Sequence, residues 1–409
     1  MQNRSYQIIA IFTLAQLLIL SVFGYTPYPD SDGYLFLAKE SLSYGEPYPV
    51  TALLNSYHFL WNIGSVNAVV LTLKLFHSIV PLLIIYSLMK GATAWLLWKY
   101  TQHLFNDKTA FIALVLYVIY PANYGEGTSL LSELPFMFFT MLGLWLCLVR
   151  QQYLLGGMSM AFANWFRPMG IVFLVSMIIY LLFAHRHSFK SIICKKTIKT
   201  VVTPLAGYLL MIVVIGGLSY QRTGLFLFQA KTGWMALTDY STHHSPQSLA
   251  VRDHKEWNVA QKDSVWQSLF IEWVKDHPVE YAKQMPIKLG NTYISDNVNM
   301  CTFIPEKSRK EYMYEEVSMP TLLHSFPCYS GVQWLTIINL TVYLLLLVGA
   351  LCSLRYFKRE SCLLPLSVII LGTLLLLLVG HGEARFHIPF MPFFLMLTAL
   401  FIERKLWKG

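Results

Sequence analysis

The chain has 409 residues, of which 55% are hydrophobic and 13% are charged, and its mean hydropathy is +0.49. A soluble protein carries about 25% charged residues, so this composition excludes a soluble globular protein. The net charge of +9 does not indicate a nucleic-acid partner. The basic residues cluster in short loops between apolar runs, as the positive-inside rule describes.

Apolar runs in chain order predict about ten membrane-spanning helices. A helix needs roughly 20 apolar residues to cross hydrocarbon. Residues 6–24 form the first such run, which we interpret as an uncleaved anchor because no small-residue cleavage site precedes Tyr25. Residues 25–78 form the first outer loop, in which 65–76 can lie along the membrane interface as an amphipathic helix. The next predicted spans are 80–102, 109–121 and 130–149.

Residues 153–184 are too long for one ordinary span, and Arg167-Pro168 interrupts them. The positive-inside rule places Arg150 and the basic run at 186–199 on the same, cytoplasmic side, so an even number of crossings must separate them. We therefore expect two short helices, 153–166 and 168–184, with Arg167 at the outer turn. The remaining predicted spans are 200–219, 333–353, 362–380 and 387–402.

The predicted fold is an all-α polytopic membrane protein with both termini in the cytoplasm. Residues 1–219 form an N-terminal transmembrane module, residues 220–330 a small helical domain outside the membrane, and residues 331–409 a C-terminal transmembrane module. Within the outer domain, Pro278 separates two predicted helices. Multiple spans without a sorting signal favour a bacterial inner membrane, with the outer segments facing the periplasm.

The most informative polar segment is Tyr28-Pro-Asp-Ser-Asp-Gly-Tyr34, directly after the first span. Pro-Asp-Ser-Asp-Gly is good turn chemistry, so a solvated turn is one interpretation. The spacing of Tyr34 and Ala38, one helical turn apart, indicates instead that Asp30 and Asp32 lead into a helix. A carboxylate at a helix start stays ionised and can act as a general base toward a hydroxyl or as a cation ligand.

Three charged residues lie near the outer ends of later spans. Glu126 is expected to be a loop residue. Glu133 lies at the membrane boundary, where an acid is costly unless it faces a wet cavity, a partner or a helix start. Arg167 is either an interfacial arginine or an anion contact at a helix start, with Pro168 as the first helical residue.

Residues 380–392 join the last two predicted spans and place His381, Glu383, Arg385 and His387 in a short outer connection. A zinc site is conceivable there, but the two histidines lack the i, i+4 spacing of a helical site. The planar guanidinium of an arginine suits a phosphate better. We therefore expect no obligatory cofactor, while a divalent metal stays possible.

Lysines and cysteines leave further alternatives open. Lys90 falls near the middle of its span, where a lysine faces the bundle interior or snorkels, and a pair with Glu133 is one possibility. Lys288 in the outer domain either contacts an anionic headgroup or lies on an ordinary solvated face. The six cysteines show no metal-binding spacing, and a disulfide between Cys301 and Cys328 is possible.

The order and sidedness of these motifs resemble the GT-C superfamily of membrane glycosyltransferases. The nearest resemblance is to the protein O-mannosyltransferase and aminoarabinose-transferase family (glycosyltransferase family 39-like). That family has an acid four residues before an aromatic in its first outer loop, followed by an alanine, which Asp30, Tyr34 and Ala38 match. Its usual Asp-Glu pair is Asp30-Ser31 here, so Asp30 is the better match to the catalytic carboxylate.

Other motifs of the family have counterparts later in the chain. The chain departs from the family at residues 50–64, which lack a Glu-Lys-Pro-Pro-like segment and contain Asn55, Tyr57 and His58 instead. The matching segments are Glu133-Leu-Pro-Phe, Arg167-Pro168, the His-Pro-x-x-Tyr and Lys-Leu elements within 277–289, and Arg385-Phe-His-Ile-Pro-Phe-Met-Pro.

The resemblance implies a GT-C-like helical bundle and an inverting transferase. Such an enzyme moves a sugar from a polyprenyl-phosphate donor to an acceptor hydroxyl on a lipid, a glycan or a protein at the outer face of the membrane. The implied catalytic residues are Asp30 as general base, with Asp32 and Glu133 positioning hydroxyl groups. The implied contacts to the donor phosphate are Arg385, Arg167 and Lys288. The residues assigned to substrate binding are Tyr34, His58, His381 and Lys90.

Two other classes of function stay open from the sequence. A transporter or flippase for a lipid-linked anion fits an intramembrane charge such as Lys90, although no inverted repeat is visible. A ligase that moves a whole glycan from a lipid diphosphate is the other alternative. The expected partners are the lipid-linked donor, the acceptor and membrane lipids, without nucleic acid.

Overall fold

The computed structural model describes residues 2–184, 195–305, 331–356 and 360–406. These residues form α-helices, short 3₁₀ helices and connections, with one isolated antiparallel β-bridge between Leu60 and Lys231. Helices suit so apolar a chain, because in lipid a helix satisfies its backbone hydrogen bonds internally. In chain order the α-helices are α1 (Gln2–Phe23), α2 (Pro29–Tyr44), α3 (Ile63–Phe76), α4 (Val80–Leu104), α5 (Asp107–Ile119), α6 (Glu133–Leu148), α7 (Tyr153–Phe166), α8 (Gly170–Ala184), α9 (Lys195–Thr223), α10 (Gly233–Thr242), α11 (Pro246–Arg252), α12 (Val259–Asp276), α13 (Pro278–Tyr293), α14 (Gly331–Ser353), α15 (Leu363–Val379) and α16 (Met391–Leu406).

Every segment predicted as a span contains a helix, namely α1, α4 to α9 and α14 to α16. The all-α polytopic fold is therefore confirmed. That all ten helices cross the membrane stays a prediction, because several are shorter than a full span. Among the described residues, five helices are long and apolar enough to cross alone: Gln2–Phe23, Val80–Leu104, Lys199–Thr223, Gln333–Tyr356 and Ala384–Lys405.

The connection between α5 and α6 differs from the sequence prediction. Residues Pro121–Thr128 form two 3₁₀ helices that meet α6 at an angle of 109° and pack into the bundle. Glu126 is consequently 5% exposed and accepts a hydrogen bond from Lys90 Nζ at 2.7 Å. Both the loop position of Glu126 and the suggested pair of Lys90 with Glu133 are thus wrong. A buried ammonium needs a carboxylate within contact distance, and the folded-back segment supplies it.

Helix α2 positions the first site residues. It begins at Pro29, which suits a first helical turn because proline lacks the N–H that would be unsatisfied there. Asp30 and Asp32 lie in that turn, where negative charge interacts favourably with the helix dipole. Tyr34 and Ala38 are fully buried on the inner face. The prediction that the aspartates lead into a helix is therefore confirmed.

Close packing of α7 against α6 and α9 fixes the turn that follows α7. A Cβ added to Gly143 on α6 would lie 2.8 Å from the carbonyl oxygen of Gly156 on α7, and one added to Gly157 would overlap the carbonyl of Pro204 on α9. Small residues allow such close approach between helices in a membrane. The predicted pair of short helices is confirmed as α7 and α8, with Arg167 at their junction. The predicted start of the second helix is wrong, because α8 begins at Gly170 and Pro168 lies in the turn before it.

The helices α10 to α13 form the described part of the predicted outer domain. The break at Pro278 is confirmed, since α12 ends at Asp276 and α13 begins at Pro278. Helix α13 packs against α15 and against the 3₁₀ segment Ala384–Phe390. This packing supports the connection between α15 and α16. The domain limits at residues 219 and 330 stay a prediction, and most of the basic run at 186–199 lies outside the described residues.

Candidate active site

A cavity of about 460 Å³ brings together residues that are far apart in the sequence. Its walls come from the start of α2, the junction of α7 and α8, the connection between α15 and α16, and residues 229–237. We name it the charged cavity. The charged residues that line it are Asp30, Arg167, Lys231, Asp263, Glu383 and Arg385.

Arg385 is the centre of the ion pairs in this cavity. Its Nη1 lies 2.7 Å from Oδ2 of Asp30, and its Nε lies 2.7 Å from Oε1 of Glu383. The same Nε lies 3.8 Å from Oε1 of Glu133. The side chain of Arg385 is only 15% exposed, so these contacts lie in a partly desolvated environment in which charges interact more strongly than in water. Asp30 and Arg385, which are 355 positions apart, are therefore direct partners.

Glu133 and Arg167 form a second, buried ion pair that joins the first. Arg167 Nη1 lies 2.6 Å from Glu133 Oε1 and also donates to Ser132 Oγ at 3.3 Å. The Arg167 guanidinium lies 4.8 Å from the ring centre of Phe386, a cation–π distance. Because Glu133 contacts both arginines, the two pairs form one continuous cluster.

The cluster has three carboxylates and two guanidiniums. Arg385 contacts carboxylates through Nη1, Nε and Nη2, so an anion that binds this arginine must displace one of them. Desolvation raises the pKa of Glu383, but the neighbouring Arg385 and His381 outweigh it and lower the pKa to about 2. Glu383 therefore stays ionised at neutral pH and holds Arg385 on the side opposite Asp30.

Asp32 and Tyr34 lie near this cluster in different environments. Asp32 is exposed, and Oη of Tyr25 donates to it at 3.3 Å. Tyr34 is buried, and its Oη accepts a hydrogen bond from Nδ2 of Asn62 at 2.8 Å. Burial and the nearby charge of Asp30 raise the pKa of Tyr34, so its phenol stays neutral. Asp30 lines the charged cavity, whereas Asp32 is not among its lining residues.

The other predicted site residues divide into those at the cavity and those away from it. His381 lines it, and its Nε2 lies 3.5 Å from Glu383. His58 is exposed, with its Nδ1 3.2 Å from the carbonyl of Arg252. Lys288 is buried between the rings of Tyr240 and Tyr281, and Lys90 is buried against Glu126. The structure does not bring His58, Lys288 or Lys90 to the charged cavity.

Several cavity residues were not predicted from the sequence. Trp61 and Asn62 precede α3, and Trp234 lies in the first turn of α10. Lys231 Nζ lies 2.9 Å from Asp263 Oδ2 at the cavity wall. These residues belong to no spacing motif. The aromatic pair Phe59–Trp61 in the first outer loop was the available signal, because exposed aromatic residues near carboxylates are typical of a binding surface.

The described residues say little about the possible metal site and the possible disulfide. Within the described ranges, no group of three or more His, Cys, Asp or Glu side chains is arranged to hold a metal ion. Cys301 is buried, and Cys328 lies outside the described residues. The possible disulfide between them therefore stays a prediction.

Comparison with known proteins gives one family. The model of the dolichyl-phosphate-mannose-protein mannosyltransferase family matches residues 67–216. This range includes Glu133 and Arg167 and excludes Asp30 and Arg385. No curated protein and no solved structure gives a significant match. The resemblance inferred from the motifs is confirmed for residues 67–216, over which the chain is similar to the dolichyl-phosphate-mannose-protein mannosyltransferases, and the match supports a membrane glycosyltransferase of the GT-C type.

Proposed function

We propose that the protein transfers a sugar from a polyprenyl-phosphate donor to an acceptor hydroxyl, with inversion at the anomeric carbon and with Asp30 as general base. The observation that carries this proposal is the direct pair between Asp30 and Arg385 in one cavity. A base and a phosphate-binding cation must both lie within a few ångströms of the reacting carbon. The family match to a glycosyltransferase supports the reaction class.

In the proposed reaction the acceptor oxygen attacks the anomeric carbon and gives its proton to the Asp30 carboxylate. The bond between that carbon and the phosphate oxygen breaks, and the lipid phosphate leaves with the bonding electrons. Negative charge develops on the departing phosphate. Arg385 and Arg167 stabilise that charge, as placed cations do in a partly desolvated site.

Donor binding rearranges the ion pairs in this proposal. A phosphate offers Arg385 a bidentate partner, so the guanidinium shifts from Asp30 toward the phosphate. Asp30 is then released from Arg385 and free to accept the proton of the acceptor hydroxyl. Glu383 and Glu133 stay paired with Arg385 and Arg167 during this shift. Because Glu133 is buried and does not line the charged cavity, the proposal gives it a positioning role in place of a contact with substrate hydroxyls.

The aromatic residues of the cavity suit a sugar. Trp61, Trp234 and Phe386 line it beside the charged cluster, and an aromatic ring offers an apolar face to the C–H groups of a pyranose. Asn62 lies between Tyr34 and the cavity, and its amide can orient a sugar hydroxyl. The proposed setting is a bacterial inner membrane with the site facing the periplasm and both termini in the cytoplasm.

Two aspartates in the same helical turn provide the test. Purified Asp30→Asn in nanodiscs, given a polyprenyl-phosphate sugar and an acceptor extract, is expected to lose about 10²- to 10⁴-fold of the transfer rate, the usual contribution of a general base. Asp32→Asn is the matched control and should retain most of the rate. Donor binding should survive in Asp30→Asn. A rate near that of the parent in Asp30→Asn overturns the base assignment.

A further inference from the structure

A second cavity, of about 960 Å³, lies between the segment after α2 and the helices α3, α7 and α9. We name it the lateral groove. Its lining is mostly apolar, and no described residue lines both the lateral groove and the charged cavity. The groove is therefore a separate feature from the proposed active site.

The lateral groove opens toward the membrane. Leu71 on α3 is 58% exposed, and Val214 and Leu218 on α9 are also exposed, although all three line the groove. Helix α9 includes Lys199–Thr223, one of the five described segments that are long and apolar enough to cross a membrane. Exposed apolar side chains on a membrane span face lipid. Hydrocarbon chains, not water, are therefore the natural filling of the groove.

The polar residues of the groove carry an excess of positive charge. Arg222 and Lys74 line it together with one acid, Glu46. Arg222 Nη1 donates to the carbonyl of Pro49 at 2.6 Å and lies 3.5 Å from Glu46 Oε2. The Glu46 carboxylate also accepts the backbone N–H of Thr51 at 2.9 Å, and this bond lowers its pKa.

The guanidinium of Arg222 has capacity for a further acceptor. Among the described residues, its contacts with Pro49 and Glu46 both use Nη1, while the group has five N–H donors. Its side chain is 27% exposed, so it is reachable from outside. A phosphate that binds such a guanidinium through two parallel hydrogen bonds forms a strong, charge-assisted contact. An apolar groove that ends at a cation matches an amphiphile with an anionic headgroup.

We propose that the lateral groove binds an anionic glycerophospholipid, with its phosphate at Arg222 and a hydrocarbon chain along α3 and α9. The arginines that the proposed function assigns to the donor phosphate line the other cavity, so the donor is not the occupant of the groove. At three places in the chain, a residue that lines the groove and a residue that lines the charged cavity are at most two positions apart. These places are Asn62–Ile63, Trp165–Arg167 and Leu227–Gln229. The bound lipid therefore supports the wall of the charged cavity from its other side.

Native mass spectrometry of the full chain tests the proposal without any transfer assay. The protein is reconstituted with phosphatidylglycerol or phosphatidylcholine, returned to detergent and measured. One phosphatidylglycerol should stay bound to the parent. Leu71→Trp, which fills the groove, should lower its retention at least tenfold. Leu345→Trp is the matched control, because Leu345 is similarly exposed on α14 and does not line the groove.

The headgroup contact has its own variants. Arg222→Gln should abolish the preference for phosphatidylglycerol over phosphatidylcholine, and Arg222→Lys should keep it. Equal retention in the parent, Leu71→Trp and Leu345→Trp overturns the groove site. Displacement of phosphatidylglycerol by an equal concentration of polyprenyl phosphate overturns the assigned occupant. Because binding alone is measured, these outcomes are independent of whether Asp30→Asn keeps or loses transfer.

Discussion

Arg385 joins Asp30 and Glu383 through two contacts of 2.7 Å each, so the proposed base is ion-paired before any substrate arrives. The pair has a chemical consequence. The Asp30 oxygen Oδ2 that contacts Arg385 has to lose this contact before it can accept a proton from an acceptor hydroxyl. Activity then depends on an anion that competes for Arg385, and the donor phosphate is such an anion.

The first prediction concerns the shape of the Arg385 side chain. Arg385→Lys keeps the charge and loses the planar guanidinium that contacts Asp30 and Glu383 together. We expect transfer to fall by about 10²- to 10³-fold, as when one donor to developing negative charge is removed, with a raised KM for the donor. Steady-state kinetics check this. Arg252→Lys, an exposed arginine of the outer helices, is the control, and equal kinetics in both variants contradict the prediction.

The second prediction concerns the buried pair of Glu133 and Arg167. Glu133→Gln leaves the Arg167 guanidinium without its 2.6 Å partner and should destabilise the protein by about 3–5 kcal/mol, the usual cost of breaking a buried pair. The double variant Glu133→Gln with Arg167→Met removes both charges and should recover much of the loss. Thermal unfolding in detergent measures both effects. If the double variant is the less stable one, the pair is not the source of the cost.

The third prediction separates two roles for Lys90. The structure pairs Lys90 with Glu126 and Asn123 inside the bundle, which indicates a structural role instead of substrate binding. Lys90→Met should lower the unfolding temperature, because it leaves the Glu126 carboxylate buried and unpaired. Lys90→Met with Glu126→Gln should restore both stability and donor KM. A stable double variant with a strongly raised donor KM would indicate that Lys90 binds the substrate.

The fourth prediction is a pH dependence at Lys288. Burial lowers the pKa of this ammonium to about 8, below its unfolded value of 10.5. Between pH 8 and 10.5 the unfolded state therefore binds more protons than the folded state, so Lys288 makes stability rise with pH in that window. Lys288→Met should not show this rise. Below pH 8, the variant should unfold at a higher temperature than the parent. The difference in unfolding temperature between parent and variant, followed from pH 7 to 10, checks it.

The same variant tests the assignment of Lys288 to the donor phosphate. Its ammonium lies 3.5 Å from the carbonyl of Leu377 and does not line the charged cavity. We therefore expect Lys288→Met to retain far more transfer activity than Arg385→Lys. A loss as large as that of Arg385→Lys would place Lys288 at the phosphate after all.

The sequence predicted the helices well because a membrane span is a local property. A run of apolar residues forms a helix in lipid whatever its neighbours are, and the breaks at Arg167 and Pro278 are likewise local. The sequence also predicts that Asp30 and Arg385 lie on the same, outer side, since topology alternates with each span. Asp30 was preferred over Asp32 on its spacing to Tyr34, and only Asp30 lines the cavity.

Pairings between distant segments could not be predicted in the same way. Glu126 was expected in a loop, and the sequence does not tell whether the connection between two spans folds outward or into the bundle. Lys231 and Trp234 reach the cavity because the outer helices pack on α15. The hydrophobic periodicity of the sequence does not predict this packing. His58 was assigned to substrate binding by its place in the first outer loop, but its side chain points to Arg252.

The sequence by itself determined that this chain is an all-α membrane protein, and it predicted carboxylates and arginines at the outer ends of the spans. Hydropathy, charge sidedness and the spacing of Asp30 and Tyr34 are carried within short stretches, so they can be read without coordinates. Only the tertiary structure decided which charges meet. Ion pairing acts over a few ångströms, and the packing of α2, α7 and the connection before α16 brings Asp30, Arg167 and Arg385 within that range. The folded-back segment Pro121–Thr128 brings Glu126 to Lys90 on α4.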